Sequence, residues 1–416
     1  MEKEVIVIGG GIIGVCSALY LSEQGHRVTL IDRGDLNHGC SFGNAGMIVP
    51  SHVIPLAAPG MISQGMKWML DAKSPFYVKP RISKELLSWG LKFRKAASQE
   101  HVDKSTVRLR DLSLLSKTLY RELAIECADF HYDEKGLLML FQTEGQAEEE
   151  TKAGELAKSL GLEVDFLSKA EVDGLETGTS VNAIGGVYYK SDAHLHPSKL
   201  MAYLIQRLVR KGVTIFQRTE VQEVVKVNGA VTGVRTSSGL IAGDEFVFAG
   251  GAWSPQLTKQ LNIRLPLLPG KGYSFTLSGR LERPKIPSIL CEGKVAVTPM
   301  GTDLRFGGTM EITHVQDNAI NRRRVEGIVT TIRSFYPSLS IEMPRSEDTW
   351  YGFRPCSPDG MPYIGRLSGL SNVIVATGHA MMGLSLGPAT GFLVNELVSG
   401  RQINLDMAGF HPERYC

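Results

Sequence analysis

A glycine-rich turn set between two runs of β-branched residues constrains this chain more than any other feature. Val5-Ile6-Val7-Ile8 is short and uninterrupted, as suits a strand buried on both faces of a parallel sheet. Gly9-Gly10-Gly11-Ile12-Ile13-Gly14 follows at once, in the pattern G-x-G-x-x-G. The stretch from Val15 to Gln24 then reads as a helix stopped by Gly25, and Arg27 to Ile31 as a second strand ending at Asp32. Each part has a task in holding a dinucleotide. Gly9 permits the turn from strand to helix, Gly11 lets the backbone approach a pyrophosphate, and Gly14 lets helix and strand pack closely. The helix N-terminus offers free N–H groups and positive dipole to the phosphates, and Ile12 and Ile13 in the turn before it are candidate contacts. Asp32 stands where a ribose hydroxyl would be read and disfavours a 2′-phosphate, an argument that Arg33 next to it slightly weakens; both are candidate cofactor contacts. The unit predicts a dinucleotide site, and by itself leaves FAD and NAD both open.

The rest of the composition narrows the class. The chain has 416 residues, enough for two or three domains with cores of their own. Lysine plus arginine (45) nearly balances aspartate plus glutamate (43), so no strong field recruits nucleic acid. The run Arg322-Arg323-Arg324 reads as a solvated helix face. Six cysteines (Cys16, Cys40, Cys127, Cys291, Cys356 and Cys416) are scattered without C-x-x-C spacing, which argues against zinc and a disulfide framework and fits a reducing compartment. The opening lacks the pattern of a secretory signal, and no apolar run reaches the roughly 18 residues of a membrane span. The expectation is a cytoplasmic protein, at most peripheral on the inner face of the cell membrane.

Periodicity along the chain outlines the remaining elements. Met47 to Pro80 is a long ordered excursion rich in Pro, Met and Gly. Helices are expected over Ser83 to Lys95, Ser105 to Cys127, Glu144 to Leu160, from Pro197 to Lys211, and from Ala389 to Leu397. Strands are expected over Leu137 to Phe141, Val213 to Val221, Phe246 to Ala249 and Val373 to Ala376, with antiparallel strands from Leu265 to Gly308. The order predicts an α/β protein. Its discontinuous Rossmann-like dinucleotide-binding domain comprises 1–60, 192–255 and 350–416, and an inserted α+β substrate domain on an antiparallel sheet comprises 61–191 and 256–349.

Several segments together resemble the FAD-dependent amino acid oxidoreductases, the group of D-amino acid dehydrogenase, glycine oxidase, sarcosine oxidase and D-amino acid oxidase. The anchors are the N-terminal fingerprint, Ser41-Phe42-Gly43-Asn44-Ala45-Gly46, Ala249-Gly250-Gly251-Ala252-Trp253-Ser254, Gly352-Phe353-Arg354-Pro355 with Pro358-Asp359-Gly360, and Thr377-Gly378-His379 with Gly383-Leu384. Ala57-Ala58-Pro59-Gly60, Lys67-Trp68, Lys271-Gly272-Tyr273-Ser274 and Gly307-Gly308-Thr309-Met310-Glu311 are most similar to the bacterial D-amino acid dehydrogenase branch. Asp192-Ala193-His194-Leu195-His196-Pro197 departs from it, which leaves the side chain of the substrate open, with D-proline and D-hydroxyproline among the choices. The resemblance implies non-covalent FAD. Gly9, Gly11, Gly14 and Asp32 would hold its ADP half, and Ser41 with Gly43, Asn44, Ala45, Gly46 and Met47 would line the pyrophosphate and flavin edge. Val221, Gly250, Gly251 and Trp253 would close the adenosine side. Gly378, His379, Met382, Gly383, Leu384 and Ser385 would approach the isoalloxazine.

The chemistry implied is transfer of a hydride from the α-carbon of a small D-amino acid to flavin N5, with electrons passed on to a quinone or another acceptor. Arg354 is the leading candidate for the substrate carboxylate, because a guanidinium grips a carboxylate in a planar, bidentate way. Tyr273 is a candidate cap for the substrate and equally a core tyrosine; His379 is a candidate flavin neighbour and equally a histidine satisfied by its surroundings. His194 and His196 share a strand-like spacing without an evident third metal ligand, so no metal is expected. Apolar residues interleaved with Lys67, Lys73, Lys79, Arg81, Lys92, Arg94 and Lys95 fit either a lid or a segment lying on an anionic membrane. An oxygen-using oxidase of glycine or sarcosine type and a non-catalytic flavin-binding subunit are the alternatives, and the oligomeric state is open.

Overall fold

The computed structural model describes residues 1–69, 71, 73–81, 83–279 and 282–415; Cys416 lies outside them. Two sheets organise the chain. The smaller has six strands in the order Tyr363–Leu367, Leu370–Thr377, Glu245–Phe248, Glu4–Ile8, Arg27–Ile31, Thr214–Phe216. All neighbours are parallel except the first pair. The expected glycine turn leaves its fourth strand, Glu4–Ile8, which is buried along nearly all its length.

The helix that follows runs Ile12–Glu23, beginning three residues earlier than the apolar pattern predicts. The reason is a cap from far along the chain: Ser41 Oγ accepts the Ile12 N–H at 2.9 Å, satisfying one of the donors a helix start leaves free. This helix is buried on almost every side, as an all-apolar helix must be. It lies among Pro197–Arg210, Gly387–Ser399 and the long helix Gln99–Glu126, whose Tyr120 and Leu123 join the same core. The opposite face of the sheet is covered by a three-stranded antiparallel ribbon, Val221–Val227, Ala230–Thr236 and Gly239–Ala242.

The single strand expected over Val213 to Val221 is two strands in different sheets, Thr214–Phe216 and Val221–Val227. Between them Arg218 takes φ +50°, and its N–H bonds to the Gly34 carbonyl at 2.7 Å. That backbone conformation breaks the extended run and delivers Val221 to the cavity described below.

The larger sheet contains Trp350–Cys356, Leu268–Leu277, Asp303–Ile312, Val295–Met300, Ser288–Leu290, Leu137–Phe141, Gly185–Tyr189 and Val164–Ser168 in that order, with Phe76–Val78 paired to Asp303–Ile312. It is antiparallel apart from two parallel pairings, Ser288–Leu290 with Leu137–Phe141 and Asp303–Ile312 with Phe76–Val78. Trp350–Cys356, grouped by sequence with the dinucleotide segments, is an edge of this sheet. Helix Arg322–Phe335 packs its Val325, Ile328, Val329 and Ile332 on one face. The arginine run at its start is a solvated face only in part. Arg324 is buried, donates to the Ser74 carbonyl at 2.8 Å and lies 4.5 Å from the Tyr77 ring centroid, because that side of the helix turns toward Phe76–Val78.

Candidate active site

The other face of the larger sheet and the glycine turn of the smaller one enclose a single cavity of about 1830 Å³. Small-molecule sites usually run to roughly 1,000 Å³, so there is room for a dinucleotide and a small substrate together. Gly9, Gly11, Ile12, Ile13, Asp32 and Arg33 line one end. Gly9 has φ +114°, and a Cβ on Gly14 would stand 1.8 Å from the Gly9 carbonyl oxygen, so turn and helix can close only on glycine. At Gly11 the nearest atom to an added Cβ is Ser41 Oγ, 3.7 Å away, and the backbone there is open to the cavity. Asp32 already accepts from Gly10 N (2.5 Å) and Gly34 N (2.6 Å), which fixes its carboxylate at the cavity wall.

Around this end, Arg33 stacks 3.9 Å from the Trp253 ring centroid, and Trp253 meets Phe353 edge to face. Val221, Gly250 and Gly251 line the same region. Ser41, Gly43, Asn44, Ala45 and Met47 form the middle of the wall. Their loop is tied down by Arg305, whose guanidinium donates to the Phe42 and Asn44 carbonyls (2.9 Å each). Ser274 Oγ donates to the Gly43 carbonyl at 2.8 Å. Burial lowers the Arg305 pKa to about 10.

Arg354 lies on Trp350–Cys356 and lines the cavity. Its guanidinium reaches over Gly272 of the neighbouring strand and donates to the Thr309 carbonyl on the next. No carboxylate is recorded against it among the described residues, and burial pulls its pKa down from the ordinary arginine value. A cation partly stripped of water and without a counter-ion is a ready receptor for a carboxylate.

Other candidates sit differently. Tyr273 lines the cavity, but its hydroxyl donates to Glu311 Oε2 at 3.1 Å and accepts the Asn321 N–H at 3.2 Å. Its polar tip is thus engaged on the protein side. His379 also lines the cavity; its Nε2 bonds Thr390 Oγ1 at 2.9 Å, and burial lowers its pKa to about 3, keeping it neutral. Met382, Gly383 and Leu384 border the cavity. Gly14, Gly46, Gly378 and Ser385 stand behind it, Gly378 at φ +80° against Tyr363 and Ser385 Oγ accepting the Val49 N–H at 3.0 Å. His194 pairs through its backbone with Met47 and Asp133, and His196 Nε2 lies 3.8 Å from Asp303 Oδ2. Cys356 is buried with its sulfur against Gly270 and the Arg354 carbonyl.

Four wall residues carry no sequence signal of a site: Ser51, His52, Glu150 and Lys294. Each sits outside any motif, and only the tertiary fold brings them together.

Residues 4–397 match the family described as DAO, FAD dependent oxidoreductase. The chain belongs to that family. A D-amino acid dehydrogenase of Allorhizobium ampelinum is 32% identical, with 99% of each chain covered. Among solved structures, glycine oxidase from Geobacillus kaustophilus superposes with a TM-score of 0.80 at 23% identity, covering 100% of this chain and 99% of its own. L-proline dehydrogenase from P. horikoshii gives 0.77 at 19%, covering 100% and 98%. The cofactor of this FAD-dependent oxidoreductase is FAD, and the open backbone at Gly11 and the volume of the cavity fit it.

Proposed function

We propose that this protein oxidises the CH–NH group of a small D-amino or D-imino acid, and that Arg354 binds the substrate carboxylate. The observation that carries the reading is the Arg354 guanidinium, half-buried at the cavity wall with no carboxylate paired to it among the described residues. The D-amino acid dehydrogenases to which the chain is similar over their full length support it. Gly9, Gly11, Ile12, Ile13, Asp32 and Arg33 would hold the ADP half of FAD, and Val221, Gly250, Gly251 and Trp253 its adenosine side. Ser41 with Gly43 to Met47, and His379 with Met382 to Leu384, would border the flavin; Gly14, Gly46, Gly378 and Ser385 would support those walls from behind. FAD supplies the two-electron acceptor.

The protein's own part is orientation and exclusion of water. Arg354 fixes the carboxylate and so aims the α-carbon, and neutral His379 adds no charge that would compete for it. The hydroxyl of Tyr273, held by Glu311, shapes the strand rather than the proton chemistry. A neutral amine can give up hydride without a strong base, consistent with a wall that holds no carboxylate beside Arg354.

For the acceptor, a quinone reached from a membrane surface is the reading we favour. The helices Met61–Met69 and Lys84–Ala96 place Met61, Gly65, Trp68, Trp89 and Phe93 on the cavity wall. They also expose Met66 (66%), Leu87 (68%) and Leu91 (60%) to solvent, beside Lys84, Lys92 and Lys95. Apolar tips ringed by lysines suit an anionic bilayer, and no helix among the described residues is long and apolar enough to cross one.

The test is anaerobic mixing of holoenzyme with a panel of D- and L-amino acids, prolines included, following the flavin absorption. Bleaching by D-isomers is expected, and a panel without effect overturns the reading. Peroxide formed on turnover in air would move the acceptor from quinone to oxygen.

A further inference from the structure

The cavity holds a second polar cluster that takes no part in carboxylate binding. Asp192 is fully buried and accepts both the Ser51 N–H (3.0 Å) and the Ser51 hydroxyl (2.5 Å). With Asp192 ionised the one proton on Ser51 Oγ points at it, so the contact of Ser51 Oγ with His52 Nδ1 (3.1 Å) must be donated by the imidazole. Above about pH 7, where Asp192 is ionised, that fixes the tautomer. Nδ1 carries the proton, and Nε2 keeps its lone pair with no partner among the described residues, on a side chain that lines the cavity. Burial, with the Lys294 charge, lowers the His52 pKa to about 4, so the ring stays neutral.

Lys294 lines the same cavity. Its ammonium uses two donors, on Glu150 Oε1 (3.1 Å) and Gln146 Oε1 (3.3 Å), and an ammonium has three. Lys294 sits at φ +47° in the turn just before strand Val295–Met300, and that strand pairs with Asp303–Ile312, whose Thr309 carbonyl holds the Arg354 guanidinium. Receptor and cluster therefore line one cavity.

We propose that His52 and Lys294 form a subsite for a hydroxyl group on the substrate side chain, His52 Nε2 accepting the hydroxyl proton and Lys294 donating to its oxygen. The inference rests on the amino-acid reading only for the carboxylate at Arg354. A hydroxyl both donates and accepts, as this pair requires. A second ammonium would face the Lys294 charge, a carboxylate would meet a bare lone pair and Glu150, and an apolar group would leave both partners unmatched.

Two measurements on holoenzyme, above neutral pH, test it. The first is calorimetric binding of β-hydroxybutyrate against butyrate, carboxylates without an amine to oxidise. The wild type is expected to prefer the hydroxylated acid by about tenfold. His52→Phe and Lys294→Gln, checked for flavin content and melting temperature, are each expected to reduce that preference to about twofold or less while leaving butyrate bound. The second compares anaerobic flavin reduction by D-hydroxyproline against D-proline and D-serine against D-alanine, with the same loss of preference expected. A preference absent from the wild type, or surviving both substitutions, overturns the subsite. If no amino acid reduces the flavin yet the binding preference appears and depends on His52, the proposed reaction falls and the subsite stands.

Discussion

A Cβ added to Gly272 would lie 2.4 Å from the guanidinium carbon of Arg354. Glycine at 272 therefore sets the height at which the guanidinium rides over the sheet, and the neighbouring backbone need not move to accommodate a methyl group; the guanidinium must. Gly272→Ala is expected to keep its flavin and melt close to wild type but raise KM about tenfold or more, through a displaced carboxylate receptor. Arg354→Ala is expected to raise KM further with flavin retained. Steady-state kinetics beside flavin content check both, and unchanged kinetics in Arg354→Ala would falsify the assignment.

Gly14 faces a harder wall. The atom 1.8 Å from its added Cβ is the Gly9 carbonyl oxygen, which is backbone at the start of the cofactor cradle. Gly14→Ala must push the helix Ile12–Glu23 off its strand, at a cost of about 3 kcal/mol. The purified variant is expected to be colourless or largely unfolded. A yellow protein with wild-type melting would show that the cradle yields more than its geometry implies.

Arg305 acts on the cofactor without lying in the fingerprint. It holds the carbonyls of Phe42 and Asn44 and the hydroxyl of Thr276 at once. Removing a charged donor from buried acceptors costs roughly 1.5–3 kcal/mol per bond. Arg305→Met should loosen the 41–46 loop and weaken FAD binding by about tenfold or more, read from flavin released on dilution or reconstitution of apoprotein. An unchanged FAD affinity would mean the loop is held adequately by Ser274 and Ser198.

What could be read along the chain was local chemistry. The strand, glycines, helix, second strand and Asp32 lie within about thirty residues, so their joint pattern is visible without the fold. Arg354 was legible because its Gly-Phe-Arg-Pro segment resembles a known family. Helix boundaries set by distant partners were not: the Ile12 start depends on Ser41, and the break between Phe216 and Val221 on a bond from Arg218 to Gly34. Arg324 looked solvated because nothing in three consecutive arginines tells which one faces Ser74. The Ser51-His52 pair, Asp192 and Lys294 come from three places in the chain, each unremarkable alone. Asp192 stands in the sequence only as part of a segment that departs from the family.

Asp192 also gives the protein a pH dependence with an unusual sign. Burial pushes its pKa up to about 7, against the opposing pull of the Ser51 hydrogen bonds and the Lys117 charge. In an unfolded chain an aspartate titrates near about 3.9. Between those values the folded protein binds a proton that the unfolded chain has released. The native state therefore loses stability as pH rises from about 4 through about 7, by up to roughly 4 kcal/mol. Below the lower value the contribution is fully present. Asp192→Asn keeps an oxygen for the Ser51 N–H and replaces the ionisable oxygen with an amide that can donate to Ser51 Oγ, much as the protonated acid does. Every other titrating group is common to both proteins, so their difference isolates this one. In urea unfolding of holoenzyme, the stability of Asp192→Asn relative to wild type should increase from about pH 5 to about pH 8. A difference that stays constant across that range would mean Asp192 is ionised throughout and that its burial is compensated by Ser51 and Lys117 alone.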